Sequence, residues 1–372
     1  MKVDRLCLKN YRNIDLVDIE FSPYVNILYG DNAQGKTNIL ESLFMCATGR
    51  SQRTRNDKEL IQFNNQSAHI SCYVSKENYQ DKIDIHLKNG EKKGIAVNSI
   101  PIRRLGDLFG TINIVLFSPE DLMLVKEGPA LRRRYMDIEL CQLSKVYYFN
   151  LQKYYKILKE RNTLLKKMAK NGSLLEDTLD VWDKQLCAYG TKLAEERKSF
   201  IEDLNLKAEK IHGDISANKE SLKIEYKESV DYSNFYEKMV KNRDKDIFYG
   251  NTCVGIHKDD MVFYINGNNA RDYASQGQQR TICLSLKMAE VELINEKTGA
   301  YPVLLLDDVL SELDKNRQDY ILKSINNIQT IITCTGLDEI TRNIGDKIKN
   351  LGLKREKSFK FWLNCGIIEG YR

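Results

Sequence analysis

The segment GDNAQGKT, from Gly30 to Thr37, constrains this chain more than any other. It satisfies G-x-x-x-x-G-K-[ST], with the strand-like run YVNILYG before it and the helically spaced NILESLFMCATG after it. Gly30 and Gly35 permit the tight turn that aims successive N–H groups at phosphate oxygens, with Asp31, Asn32, Ala33 and Gln34 between them. Lys36 offers a point charge to the outer phosphates, Thr37 a hydroxyl to magnesium, and the following helix its positive N-terminal end. A strand, phosphate loop and helix in this order predict an α/β fold and a nucleotide ligand.

A second acidic element fits the same fold. PVLLLDDVLSELD places Val303–Leu306 as a continuous apolar run, suited to a strand buried on both faces of a parallel sheet. Asp307 and Asp308 then fall at the carboxyl end of that strand, where such sheets carry their functional groups. Asp307 is the expected magnesium-side carboxylate, and Asp308 the group that polarises an attacking water.

The 372 residues exceed the usual single domain, so two domains or one large insertion is expected. Hydrophobic content of 42% and charged content of 29% are those of a soluble globular protein. No apolar run approaches the ~20 residues of a membrane span, and the N-terminus lacks a signal-peptide core. The nine scattered cysteines form no CxxC pair, which predicts reduced thiols in a cytoplasmic protein and no zinc knuckle. A net charge of +5 permits nucleic-acid binding without demonstrating it.

Short alternating runs dominate the N-terminal part: VDRLCLKN, IDLVDIEF, HISCYVS, KIDIHL and KGIAVN read as strands, and the apolar TINIVLF as another. Between about Arg132 and Ile211 apolar residues recur at helical spacing, in stripes broken by Asn171, Gly172 and Ser173. The second stripe, from Leu179 to Leu193, ends at Glu196 after about two heptads, too short for a coiled coil. A split core is therefore expected, with residues 1–120 and 250–372 flanking a mainly helical insertion at 121–249.

ASQGQQRTICLSLKMAE resembles the signature segment of ABC-type ATPases: Ser275, Gln276, Gly277 and Gln278 stand at the start of a long helix. SELD, with Ser311 and Asp314, resembles the adjoining loop at the same dimer interface. With LKNYRNI, YGDNAQGKTNILE, GRSQRT, FSPEDLMLVKEGPALRRRYMD, GIHKDD and LLLDDVLSELD, the chain resembles the RecF family of bacterial recombination-repair ATPases along nearly its whole length. The resemblance implies an ABC-type head with a β-rich N-terminal lobe, ATP and Mg2+ as cofactors, and an ATP-dependent homodimer whose signature residues reach the partner's nucleotide. It implies slow, DNA-stimulated hydrolysis, and binding to double-stranded DNA and single-strand/double-strand junctions. It further implies action with RecR and RecO in recombinase loading, a role in replication and the SOS response, and association with the nucleoid. Arg12 occupies the place of a phosphate-contacting basic residue.

The sequence departs from the family in Ile256 and Lys258 of GIHKDD, where proline and arginine are commoner. Asp308 stands where transporter ATPases carry glutamate, and QTIITCTG lacks a switch histidine. Both differences suit a timer better than a pump. A transporter subunit, an SMC-type structural protein and a P-loop kinase are competing readings; the first lacks its motifs, the second its long coiled coil, and the third leaves SQGQQRT and SELD unexplained. Candidate DNA contacts are Arg50, Arg53 and Arg55, then Arg103 and Arg104, Arg132, Arg133 and Arg134, and Lys166, Lys167 and Lys170. No helix-turn-helix or aromatic-rich single-strand platform is visible in the sequence.

Overall fold

A computed structural model describes residues 1–31, 33–76, 79–171, 176–334, 360–364 and 367–370. Asn32, Gly172, Ser173 and the Thr335–Gly336 end of QTIITCTG lie outside them. The chain divides into two compact units, Met1–Leu122 with Cys283–Arg372, and Met123–Ile282.

The first unit holds two sheets. One is six-stranded and antiparallel, with Lys2–Tyr11 between Ile14–Glu20 and Ser67–Ser75, and Gln80–Lys88 on the far side of Ser67–Ser75. Strict alternation would bury every second residue, but a register shift between Val3 and Arg5 resets the phase, so Val3, Leu6 and Leu8 all point inward. The other sheet orders its strands Ile367–Gly370, Lys360–Asn364, Val25–Tyr29, Thr330–Cys334, Val303–Asp307 and Ile114–Phe117. All its pairings are parallel except the outermost one. Val303–Asp307, Thr330–Cys334 and Ile114–Phe117 are buried at every position, as the apolar runs Val303–Leu306 and Ile114–Phe117 predict. Helix Lys36–Thr48 follows the strand Val25–Tyr29 and buries Ile39, Leu40, Leu43 and Phe44.

The second unit is mainly helical. Helices Pro129–Leu143, Lys145–Asn171 and Glu176–Ser216 account for most of it, with the strand Leu222–Lys227 lying against the last. Helix Glu176–Ser216 does not stop at Glu196. Its buried face continues through Arg197, Phe200, Ile201, Leu204, Ala208 and Ile211. The stripe looked broken because a charged residue holds a core position: Arg197 donates to Asp137, to the Tyr147 hydroxyl and to the Ile256 carbonyl, each within 2.9 Å.

The expected return to the head near residue 250 also needs revision. Strand Asp260–Ile265 pairs antiparallel with Leu222–Lys227, so the chain stays in the helical unit until Ile282. The two aspartates of GIHKDD explain this placement. Asp259 accepts from the Tyr226 and Tyr232 hydroxyls and from the Ser229 N–H, while Asp260 holds Arg132. Gly255 of the same segment has φ +122°, and a Cβ there would run into the Tyr154 hydroxyl.

A second charged core joins three helices of this unit. Arg161 is fully buried, donating to Asp183 at 2.6 Å, Asp246 at 2.7 Å and the Thr252 hydroxyl at 2.8 Å. Replacing it leaves two buried carboxylates short of a cation. Arg161→Leu is expected to lower the unfolding free energy by about 3–5 kcal/mol in denaturant titrations. His257 offers a pH test. Its Nε2 donates to the Thr252 carbonyl and its Nδ1 accepts from Tyr154, and burial pushes its pKa down to about 4. The unfolded chain therefore binds the proton first, and stability falls as pH drops from about 6.5 towards 4. His257→Asn should flatten that slope in thermal unfolding scans.

Candidate functional site

The phosphate loop of the first unit is built by backbone that few side chains tolerate. Ala33 and Gly35 both adopt positive φ, +66° and +95°. A Cβ on Gly35 would also stand 3.0 Å from Asn13 Oδ1 and 3.3 Å from Ile14 Cγ1, so glycine is required twice over. Asn13 ties the loop down, donating to the Ala33 carbonyl at 2.7 Å and accepting from Asn38 at 2.8 Å. Lys36 is buried and donates to the carbonyls of Gly30 at 2.6 Å and Asp31 at 2.8 Å. No described carboxylate lies within ion-pair distance of it, so its charge is left for an anion. The Gln34 side-chain oxygen is buried in the same loop without a partner among the described residues.

Asp307 is the centre of the site. Its Oδ1 accepts from the Thr37 hydroxyl at 3.0 Å and from the Thr333 hydroxyl at 2.8 Å. The register of the parallel sheet sets Thr333 directly opposite Asp307, and the phosphate loop brings Thr37 from the neighbouring strand's end. Burial pushes the Asp307 pKa up, partly offset by the two hydroxyl donors. Because Thr37 gives its proton to Asp307, its oxygen lone pairs remain available to a cation. Asp308 follows in the left-handed region at φ +55°, its N–H held by Thr333 Oγ1 at 2.9 Å and its buried Oδ1 without a partner among the described residues. These residues suit a magnesium-nucleotide: a buried cation held only by loop carbonyls among the described residues, a hydroxyl with lone pairs to offer, and two carboxylates at the adjoining strand end.

Arg12 is placed differently from a free phosphate contact. It grips Glu41, buried on helix Lys36–Thr48, through Nε at 3.0 Å and a second nitrogen at 2.8 Å, and also donates to the Glu59 carbonyl. Ser51 donates to the same carboxylate at 2.5 Å, and Arg53 approaches it at 4.0 Å while donating to Asn38. Glu41 thus links the N-terminal hairpin and GRSQRT to the helix behind the phosphate loop. Sequence reasoning missed it, along with Asn13 and Thr333. The signal for Thr333 was its place beside isoleucines in a strand read as part of the sheet core, where a buried hydroxyl needs a partner.

In the second unit Ser275 and Gln278 make a reciprocal cap on helix Gln276–Thr298. The Ser275 N–H donates to Gln278 Oε1 at 2.8 Å, and the Gln278 N–H to Ser275 Oγ at 3.3 Å. Ser275 and Gln276 are exposed and Gly277 half-buried. In the first unit Asp314 caps helix Lys315–Ser324 through the Arg317 N–H, and exposed Ser311 donates to the Asp308 carbonyl.

Among the arginines expected at DNA, Arg50, Arg53, Arg55, Arg103 and Arg104 are exposed. Arg132 is a correction. It is 4% exposed, and its donors are taken by Asp260, at 2.7 and 2.9 Å, and by the Leu124 and Glu127 carbonyls. Arg133 is half-buried and donates to the Asp259 carbonyl, and Arg134 is also half-buried. Three successive arginines read as one basic run, but helical phase turns the first of them inward.

Residues 2–357 match the family model described as RecF/RecN/SMC N terminal domain. The chain is 51% identical over 92% of its length to the DNA replication and repair protein RecF of Lachnoclostridium phytofermentans, covering 95% of that protein. It is 47% identical to that of Clostridium kluyveri, over 96% and 99% of the two chains. The solved recombination mediator protein RecF-ATP in the RecFOR pathway superposes with TM-score 0.90 at 35% identity, covering 100% of this chain and 97% of that one. The Smc head domain of Pyrococcus furiosus, at TM-score 0.55 and 13% identity over 99% and 95%, shares the fold. The architecture is that of an ABC-type ATPase head.

The raised pKa of Asp307 gives a two-sided test. Its folded value lies above the unfolded one, so ionisation opposes folding increasingly as pH rises from about 3.8 through the folded value. Asp307→Asn should therefore raise the Tm of the nucleotide-free protein at neutral pH. The same change should weaken magnesium-dependent nucleotide binding about 10- to 100-fold, measured by titration calorimetry.

Proposed function

The chain belongs to the RecF family of DNA replication and repair proteins, and from that membership we propose that it is an ATP-dependent DNA-binding protein of recombinational repair. The observation that carries this reading is the Thr37–Asp307–Thr333 arrangement beside a buried, uncompensated Lys36. Lys36 would leave the loop carbonyls for the outer phosphates of ATP, with the N–H groups of the Gly30–Thr37 loop around the same oxygens. Thr37 and Asp307 would hold Mg2+, the threonine directly and the aspartate behind it or through water. The chemistry supplied by ATP and Mg2+ is phosphoryl transfer to water. Asp308, with an acceptor oxygen that has nothing to accept, would orient that water.

The exposed cap at Ser275 and the N–H groups beginning helix Gln276–Thr298 suit an anion, but not necessarily one held by the same copy. In this reading two copies close around ATP: one supplies Lys36, Thr37 and Asp307, and its partner supplies Ser275, Gln276, Gly277 and Gln278. Ser311 and Asp314 would border the same interface. The closed homodimer grips duplex DNA and single-strand/double-strand junctions at gaps through exposed arginines, Arg50, Arg53 and Arg55 among them. Slow, DNA-stimulated hydrolysis opens it. Acting with RecR and RecO, it would help load recombinase and support the SOS response and replication restart in the cytoplasm. Arg12, bound to Glu41, would position the loop's helix and reach phosphate only by exchanging partners.

Light scattering tests the central step. The protein should be dimeric with ATP and monomeric with ADP or none; the same mass in all three states would refute the switch. Ser275→Arg should keep ATP affinity within about threefold while preventing the dimer, whereas Lys36→Arg should slow hydrolysis by about a hundredfold. A Ser275→Arg protein that still dimerises with ATP would remove the signature assignment.

A further inference from the structure

Helix Arg243–Tyr249 in the second unit ends in two large exposed rings. Phe248 is 80% exposed and Tyr249 63%, and they meet edge to face with centroids 5.1 Å apart. The Tyr249 hydroxyl bonds no described residue, so nothing in the fold accounts for either ring. Removing them from water is worth several kcal/mol of unused hydrophobic stabilisation.

The helix beneath them is firmly held. Asp246 accepts from buried Arg161 at 2.7 Å and from the Cys253 N–H at 2.9 Å, and Ile247 packs on Leu164, Leu165 and Met168. Gly250 closes the helix at φ +60°, so near Lys166 that a Cβ would lie 3.0 Å from that side chain. The rings are therefore presented by a fixed element beside the C-terminal part of helix Lys145–Asn171.

Exposed lysines stand on these two helices. Lys166, Lys167 and Lys170 are exposed on the neighbouring helix, and Lys245 lies one turn before the rings on their own. None of the four is in an ion pair with a described residue; Asp244 is the exposed acid on the short helix. Lysine is depleted from protein–protein interfaces, whereas aromatic faces flanked by cations match bases joined by phosphates.

We propose that Phe248 and Tyr249, with Lys166, Lys167, Lys170 and Lys245, form a platform for unpaired nucleic acid: bases stack on the rings and lysines follow the backbone. Meeting edge to face, the two rings occupy no more than one face of one ring between them, which leaves other ring faces for bases. The platform deepens the DNA-binding reading by giving the single-stranded side of a junction its own site, and it rests on that reading.

The test is anisotropy of labelled oligo(dT) and of a blunt duplex with the full-length protein, ATP and Mg2+, across a salt series. Phe248→Ala with Tyr249→Ala should weaken oligo(dT) binding by about tenfold or more and leave duplex binding and ATP hydrolysis unchanged. Leucine at both positions should fail as alanine does, and Tyr249→Trp should retain binding. Lys166→Gln with Lys170→Gln should lower the salt slope for oligo(dT) by about 0.7 for each phosphate no longer neutralised. Unchanged oligo(dT) affinity in the alanine pair, or equal loss on duplex, overturns the platform alone. Loss of a protein partner's binding with oligo(dT) binding intact makes the patch a protein interface and also overturns it. A wild-type protein that binds no DNA of any form overturns the DNA-binding reading as well.

Discussion

The hydroxyls of Thr37 and Thr333 meeting on one oxygen of Asp307 hold the candidate nucleotide site together. Each comes from a different element: the loop-and-helix after strand Val25–Tyr29, strand Thr330–Cys334 and strand Val303–Asp307. A carboxylate buried at a strand end is unfavourable alone, and the two donors are what make it tolerable. Their arrangement also fixes where Asp308 must turn, because Thr333 accepts its N–H. Lys36, Glu41 and Arg12 then take their positions from the helix that begins at Thr37's loop.

The helical unit uses charge differently. Arg161 and Arg197 are among its largest fully buried side chains, each surrounded by oxygens from several elements. Such pairs contribute little net stability relative to apolar packing, but their geometry is exacting. In Arg161 they tie helix Lys145–Asn171 to helix Glu176–Ser216 and to the short helix carrying Phe248 and Tyr249.

Where one physical rule dominated, the sequence was informative. Val303–Leu306 could be read as a buried parallel strand because solvent reaches neither face, and GDNAQGKT because the loop's backbone admits so few alternatives. Where a polar residue did an apolar residue's work, the reading failed. Glu196 seemed to end a stripe that Arg197 continues, Arg132 seemed to belong to a surface run, and the aspartates of GIHKDD looked like head residues. The partners that neutralise them lie far along the chain, so no local window contains the reason. The proposed aromatic platform was invisible for the same cause: three of its lysines lie on a different helix from its rings.

The order of strands in the parallel sheet bears on how the molecule is made. Val25–Tyr29 lies between Lys360–Asn364 and Thr330–Cys334, and Ile114–Phe117 pairs with Val303–Asp307. The two early strands have no partner in this sheet among the residues that leave the ribosome before them. They must wait, apolar and unpaired, until more than half the chain has followed, while the antiparallel sheet and the helical unit have every partner they need. The candidate nucleotide site can therefore form only once Thr333 has been made, and a nascent chain truncated before Val303 carries a phosphate loop without the strands that hold Asp307 and Thr333.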